Sequence, residues 1–433
     1  MQRDEISVII NDQQEVRKAN KSKPVTRLVA MQPYLNSPEV CVISGIRRCG
    51  KSTLLRQIAE SLSASHNVFL LELDDPRLEK FEGNDFQVAY ELWRQQTPQL
   101  HERTLFLWDE VQKESKWERW ADHFSKRSLH KIIITGSNSK LLSYELSTYL
   151  TGRHFGFELW PLSFREIVAY RTSTDPSTIK PTTEQTILLR TLWGEYFSSG
   201  GFPRAFLDSS THLLPQYLQD ILEKDIIARY GTRLSSTLKD LARILCTDNT
   251  KLINRSKLTR HLGIKDQNTV RKYCDYLTEC YVFFELKCFS FSLRKQQRSL
   301  SKYYCADPVL ARSNSFTLSR NEGSFLENIV AVELRRRGFE LYYWCSEEGG
   351  CEVDFIIRKP GNDAIAIQVA LTIDAPETRE RELRGLIAAH QELKISKLVL
   401  ITLAHAEEVT VGGAKIEIKS FLYWSLLDDT LED

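Results

Sequence analysis

Nine consecutive residues, Gly45-Ile-Arg-Arg-Cys-Gly50-Lys51-Ser52-Thr53, set two glycines, a lysine and two hydroxyls at the spacing GxxxxGK[ST]. Glycines let the backbone wrap an anion with its N–H groups turned inward, and a helix starting at the lysine adds the positive end of its dipole. In such a loop Lys51 reaches the β- and γ-phosphates of a nucleoside triphosphate and Ser52 ligates magnesium, while Gly45, Arg48, Gly50 and Thr53 complete the cradle. That chemistry also needs carboxylates. The apolar run Leu105-Phe-Leu-Trp108 ends in Asp109 and Glu110. Asp109 is expected in the magnesium shell and Glu110 as the base that orients or activates the attacking water. The second acid favours hydrolysis over storage of the nucleotide. After the next apolar run comes Thr135-Gly-Ser-Asn-Ser139, where Asn138, with Ser137 second, is the candidate to sense the γ-phosphate.

These groups need a frame to bring them together. Apolar, β-branched runs at Val40 to Ser44, Val68 to Leu73, Leu105 to Trp108, Lys131 to Thr135 and Phe155 to Leu159 alternate with helical stretches, which predicts a parallel sheet covered on both faces. The loop Gly45–Thr53 then follows a strand and precedes a helix, as its mechanism requires. Residues 1–39 read as a helix-rich lead-in, and the Ser/Thr/Pro-rich stretch from 172 to 186 as an exposed linker. The division expected is an ATPase core over 1–170, a helical lid over 185–245, a winged-helix-like segment over 246–300 and a second α/β domain over 301–433. In the last, a helix near 324–337 precedes strands at Glu340 to Trp344, Val353 to Ile357 and Ala364 to Ala370, then an Arg379 to His390 helix and a Leu398 to Leu403 strand.

Composition narrows the class. The chain of 433 residues is 42% hydrophobic and 27% charged, ordinary for globular domains. No run approaches the roughly 18 apolar residues of a membrane span, and the acidic N-terminus lacks the apolar core of a secretory signal, so a cytoplasmic protein without a membrane partner is expected. Nine cysteines show no zinc spacing, and free thiols without a structural metal are expected. Cys345 and Cys351 bracket a loop and could pair, which a reducing compartment opposes. A net charge of +1 excludes a globally basic nucleic-acid binder but not a local patch.

Together the motifs resemble a family of prokaryotic AAA-type ATPases with a C-terminal domain of formerly unknown function. The marks are the Gly45–Ser52 loop, Leu73-Asp-Asp-Pro-Arg-Leu78, Trp108-Asp-Glu-Val-Gln112, Thr135-Gly-Ser-Asn-Ser-Lys-Leu-Leu142, Leu150-Thr-Gly-Arg153, Leu159-Trp-Pro-Leu-Ser-Phe-Arg-Glu166 and Gly200-Gly-Phe-Pro203. The resemblance implies ATP and magnesium as cofactors, a homo-oligomer, a helical lid and a winged helix. It implies further that Arg153 reaches a neighbouring subunit's γ-phosphate, and that Gly201 and Pro203 contact adenine; Arg204 stands where the family often has an acid. The winged helix, with Asn268, Arg271 and Lys272 on its second helix, implies contact with DNA through 255–298 and the C-terminal domain, or with a protein partner.

The C-terminal domain resembles the PD-(D/E)xK nuclease core, through Glu327 on a helix, Asp354 entering a strand and Gln368 on the next. Ala370 holds the position of the family's lysine, so a fold retained without nuclease activity is expected unless Lys359 or another cation takes that place. The function expected is ATP hydrolysis coupled to DNA or partner binding. A slow ATP-gated switch or scaffold and an ATP-licensed nuclease stand as alternatives.

Overall fold

Strands β1 (Val40–Ser44) and β3 (Thr104–Asp109) are buried at every position, as inner strands of a sheet covered on both faces must be. With β2 (Asn67–Glu72), β4 (His130–Gly136) and β5 (His154–Glu158) they form a five-stranded sheet in the order β2-β3-β4-β1-β5. All four pairings are parallel. The computed structural model describes the chain except residues 20–23, 99, 115, 128, 140–149, 151, 232–234, 265, 317–320, 347–348, 359–360, 362, 428–430 and 432–433. Lys359, Thr151 and the Lys140–Leu142 end of one motif lie outside the described residues. Two units result: Met1–Leu159 with Glu279–Tyr281, and Trp160–Thr278 with Val282–Asp433.

In the first unit, helices α1 (Arg3–Ala19), α2 (Gln32–Asn36), α3 (Lys51–Leu62), α4 (Asp85–Gln96) and α5 (Trp117–Ser125) surround the sheet. One core joins Ile6, Ile9 and Ile10 of α1 to Phe69, Trp93, Phe106, Trp108 and Phe124. Phe106 and Phe124 stack at 4.8 Å between centroids, a contact that adds to the area these rings bury. The strand order sets β3, β4 and β1 side by side, so the segments leaving their carboxyl ends are neighbours: Asp109–Glu110, Ser137–Asn138 and the Gly45 loop. Ligands of parallel sheets collect at such an edge.

The second unit begins with helices α6 (Phe164–Thr172), α7 (Thr183–Ser199), α8 (Pro203–Leu207), α9 (Leu213–Asp220) and α10 (Ser235–Thr247). Ser163 caps α6 in a complete capping box with Glu166. Then come β6 (Leu252–Ile253), α11 (Arg255–His261), α12 (Gln267–Glu279), β7 (Phe283–Cys288), α13 (Leu293–Arg298), β8 (Ser301–Cys305), α14 (Pro308–Asn314) and α15 (Glu322–Arg336). The tail adds β9 (Glu340–Cys345), β10 (Glu352–Arg358), β11 (Ile365–Ala370), α16 (Pro376–Leu393), β12 (Lys397–Thr402), β13 (Glu407–Val411), β14 (Ala414–Ser420) and α17 (Phe421–Trp424).

Among the described residues these strands make one mixed sheet in the order β13-β14-β12-β11-β10-β9-β7-β8-β6. The boundary expected at 300/301 falls inside the β7–β8 antiparallel pair, and β7 also pairs parallel with β9. The sheet therefore runs unbroken from the segment expected to be winged-helix-like into the tail. The β13–β14 hairpin was not anticipated, because its exposed, charged alternation (Glu407-Glu-Val-Thr-Val) lacks the apolar run that marks a buried strand.

Asp307 ties this unit together. It is fully buried; its Oδ1 accepts from Val309 N at 2.8 Å and Leu310 N at 3.1 Å, capping α14, and its Oδ2 accepts from Gly201 N at 2.6 Å. Asp307→Ala removes the cap and strands a buried N–H, so chemical denaturation should record a loss of about 2–4 kcal/mol; a loss under about 0.5 kcal/mol contradicts this role.

Candidate nucleotide site

The loop after β1 is shaped by two close approaches. A Cβ on Gly45 (φ +155) would lie 2.1 Å from the carbonyl oxygen of Leu159, so only glycine fits. Gly50 (φ 106) is the left-handed residue before α3, and no side chain caps that helix. Its N-terminus is thus left for an anion, which fits a phosphate. Arg48 is also left-handed, at φ 69. Arg27, from the lead-in, is buried and donates to Cys49 O at 2.7 Å, bracing the loop from behind. The sequence offered no signal for Arg27, since a lone arginine in a charged lead-in reads as surface.

Lys51 is buried to 3% exposure. Its Nζ donates to Gly45 O at 3.0 Å, Ile46 O at 3.2 Å and Ser137 Oγ at 2.9 Å, and lies 3.5 Å from Glu110 Oε1. Ser137 in turn donates to the Glu110 carboxylate, at 2.7 and 2.8 Å to its two oxygens. The residue after β4 that contacts Lys51 and Glu110 is therefore Ser137, placed second in the sequence reading. Asn138, placed first, is buried and donates to Cys280 Sγ at 3.6 Å.

Asp109 is the last residue of β3; Thr135 Oγ1 donates to its Oδ1, and the Ser52 hydroxyl hydrogen-bonds to it as well. Ser52 and Asp109 are thus neighbours, and a hydroxyl beside a carboxylate suits magnesium. Glu110 adopts a left-handed backbone (φ 52), a conformation costly for a non-glycine residue that turns its side chain toward Ser137 and Lys51. Gln112 Nε2 also donates to Glu110, and Glu110 N donates to Thr135 Oγ1 at 3.0 Å.

Burial raises both acids, but the outcomes diverge. Asp109 is pushed up to about 6, first by burial and next by the charge of Glu110. For Glu110 burial is outweighed by Lys51 and by hydrogen bonds from Ser137 and Gln112, so its carboxyl is held below the usual range. Burial pulls Lys51 down, yet the Glu110 charge holds it above the ordinary ammonium value. Asp74, after β2, is raised by burial and by Glu110, which puts a third acid within electrostatic reach. This balance favours the ionised form of Glu110.

The remaining expected residues make the following contacts. Arg153 is 62% exposed at its side chain and pairs with Asp122 at 3.1 Å. Gly201, in the second unit, donates its N–H to Asp307 and accepts from Leu162 N at 2.6 Å, and a Cβ there would meet Leu162 O at 2.4 Å. Packing alone thus calls for a glycine at this step. Arg204 pairs with Asp208.

Glu327, Asp354 and Gln368 do come together in the second unit. Lys302 of β8 lies among the acids, its Nζ 2.6 Å from Glu352, 3.3 Å from Glu327 and 3.6 Å from Asp354. Tyr304 OH donates to Glu327 at 2.6 Å. Gln368 accepts from Asp354 N at 3.1 Å and donates to Glu382 at 2.7 Å. Ala370 is buried in the apolar core. Lys302 thus offsets the charge of these acids as an ionic cluster. A lysine inside the buried strand Ser301-Lys-Tyr-Tyr-Cys305 was the available signal, because a buried lysine needs acids around it. Burial raises Glu327 and Asp354, with Lys302 opposing. Lys302→Ala should cost about 3–5 kcal/mol at pH 8. Without the cation the folded state holds protons on these acids that the unfolded state releases, so stability gains as pH falls. Urea denaturation should show a smaller cost at pH 5, and an equal cost at both pH values counts against the cluster.

All nine cysteines carry free thiols, and among the described residues no group of three or more His, Cys, Asp and Glu is arranged to hold a metal ion. Among the described residues no helix is long and apolar enough to cross a membrane.

Residues 37–168 match a family model described as an AAA domain. Residues 190–319 and 322–420 match two models each described as a domain of unknown function. An uncharacterized protein of Haemophilus influenzae is 30% identical over 397 residues, covering 89% of this chain and 94% of its own length. An uncharacterized protein of Methanocaldococcus jannaschii is 31% identical over 438 residues, covering 96% of this chain and 94% of its own length. Among solved structures, a Walker-type ATPase of Pyrococcus abyssi is similar over 66% of this chain and 93% of that chain, at 17% identity and a TM-score of 0.38.

Proposed function

The chain belongs to the same family as the H. influenzae and M. jannaschii proteins and carries an AAA-type P-loop ATPase domain, and from this premise we propose that it hydrolyses ATP with magnesium and couples the cycle to DNA. The observation that carries the catalytic part is the contact set of Lys51, Ser137 and Glu110, which holds a buried cation and an ionised carboxylate at one sheet edge. Lys51 would grip the β- and γ-phosphates in place of the Gly45 and Ile46 carbonyls. Ser52 and Asp109 would hold magnesium, whose chemistry is to neutralise phosphate charge and polarise the phosphorus. Glu110 would orient water and take its proton as the water oxygen attacks the γ-phosphorus; the bond to the β-phosphate oxygen breaks, and ADP and inorganic phosphate leave.

The same proposal gives Arg153 the part of reaching a neighbouring copy's nucleotide after release from Asp122, in a homo-oligomer. The ion pairing of Lys302 with Glu327, Glu352 and Asp354 supports a structural rather than a nuclease role for that cluster.

Steady-state hydrolysis, measured with and without duplex DNA, tests the proposal. Glu110→Gln should keep ATP affinity and lose turnover by about 10²- to 10⁴-fold. Arg153→Ala should likewise bind and fail to turn over. Wild-type rates in Glu110→Gln remove Glu110 from the base role. Slow turnover indifferent to DNA favours an ATP-gated switch acting on a protein partner.

A further inference from the structure

From residue 251 to 298 the chain carries eleven lysines and arginines against four acids, although its net charge over all residues is +1. The rest of the molecule is therefore net acidic, and positive charge is concentrated in one stretch. That stretch folds as β6, α11, α12, β7 and α13, and β6 and β7 both pair antiparallel with β8, which follows it. Gly263 (φ +64) turns the chain between α11 and α12.

Helix α12 buries Val270, Tyr273, Cys274 and Leu277. Asn268, Arg271, Lys272 and Asp275 are exposed on the opposite stripe, at spacings of three and four. The connection from β7 to β8 carries Phe291 at 82% and Leu293 at 73% exposure, with Arg294, Lys295 and Arg298 exposed around them. Side chains this open serve no core, and the flanking cations call for an anionic partner.

We infer that this face docks on duplex DNA, with α12 in the major groove and the β7–β8 connection at the adjacent minor groove, where Phe291 and Leu293 act as an apolar wedge. This rests on the DNA coupling proposed above and gives it a surface. A helix of ~10–12 Å diameter fits a major groove ~12 Å wide. Asn268 and Arg271 bring the amide and guanidinium that read base edges, and the hairpin cations meet phosphates. Apolar side chains beside cations are the means by which proteins unstack a minor-groove step. An anionic membrane would attract the same charge, but the exposed stripe of α12 offers no apolar residue to bury among acyl chains.

The test uses the full chain, a fluorescein-labelled duplex of about two helical turns and, in parallel, vesicles of phosphatidylglycerol. Wild type should bind the duplex with an affinity that falls steeply with salt. Arg294→Ala with Arg298→Ala should lower the log–log salt slope by about 1.8, roughly 0.9 for each phosphate contact. Phe291→Ser should weaken binding roughly tenfold at every salt concentration with the slope unchanged. Because these side chains are exposed, melting temperature should not change. Binding to vesicles but not duplex, a flat salt response, or wild-type affinity and slope in the variants overturns the inference. ATP hydrolysis assayed on the same samples separates the two proposals: duplex binding without ATP turnover overturns the catalytic reading alone, and turnover without duplex binding overturns the DNA coupling and this surface while the catalytic reading stands.

Discussion

The buried ammonium of Lys51 is the constraint on which the first unit depends. A charge removed from water must be matched by partners at close range, and this one is matched by two loop carbonyls, a hydroxyl and a carboxylate. The partners come from three chain segments distant in sequence, so β1, β3 and β4 must be adjacent and parallel for the lysine to be tolerated. The close packing of Gly45 on Leu159, the left-handed Glu110 and the brace from Arg27 all serve the same few ångströms. In the function proposed above, phosphate oxygens would take the place of the Gly45 and Ile46 carbonyls at the ammonium, so that a site stable in itself would also bind.

The second unit solves the same problem differently. Lys302 faces three carboxylates, Tyr304 donates to one of them, and Gln368 is held between Asp354 and Glu382. Here the charges close on each other and α15, β8, β10 and β11 are joined across the sheet. The Lys51 cluster sits at the carboxyl edge of strands beside an uncapped helix N-terminus, whereas the Lys302 cluster is wrapped by its own hydrogen bonds. Similar residue types thus give a site in one unit and a fastener in the other.

Legibility followed locality. The phosphate loop and the acid pair could be read because each is contiguous, and the five parallel strands because apolar, β-branched or aromatic residues dominate each short run. Asn138 ranks ahead of Ser137 on sequence alone, yet Ser137 meets Lys51, since which of two adjacent side chains faces the lysine depends on how the chain leaves β4. Lys302 was missed because 25 residues separate it from Glu327 and about twice that from Asp354, and only the fold sets them together. The boundary expected at 300/301 lies between two paired strands for a related reason: backbone pairing of β7 with β8 carries the sheet across it, and no local run of residues announces that pairing.

Calorimetric titration of ATP with magnesium into the wild type and Lys51→Ala tests the central claim most directly, with thermal melting to establish that the variant is folded. The account predicts saturable binding by the wild type and an affinity at least about tenfold weaker in the variant, the loss of a charged hydrogen-bond donor to phosphate. Equal affinity in a folded Lys51→Ala protein would contradict it.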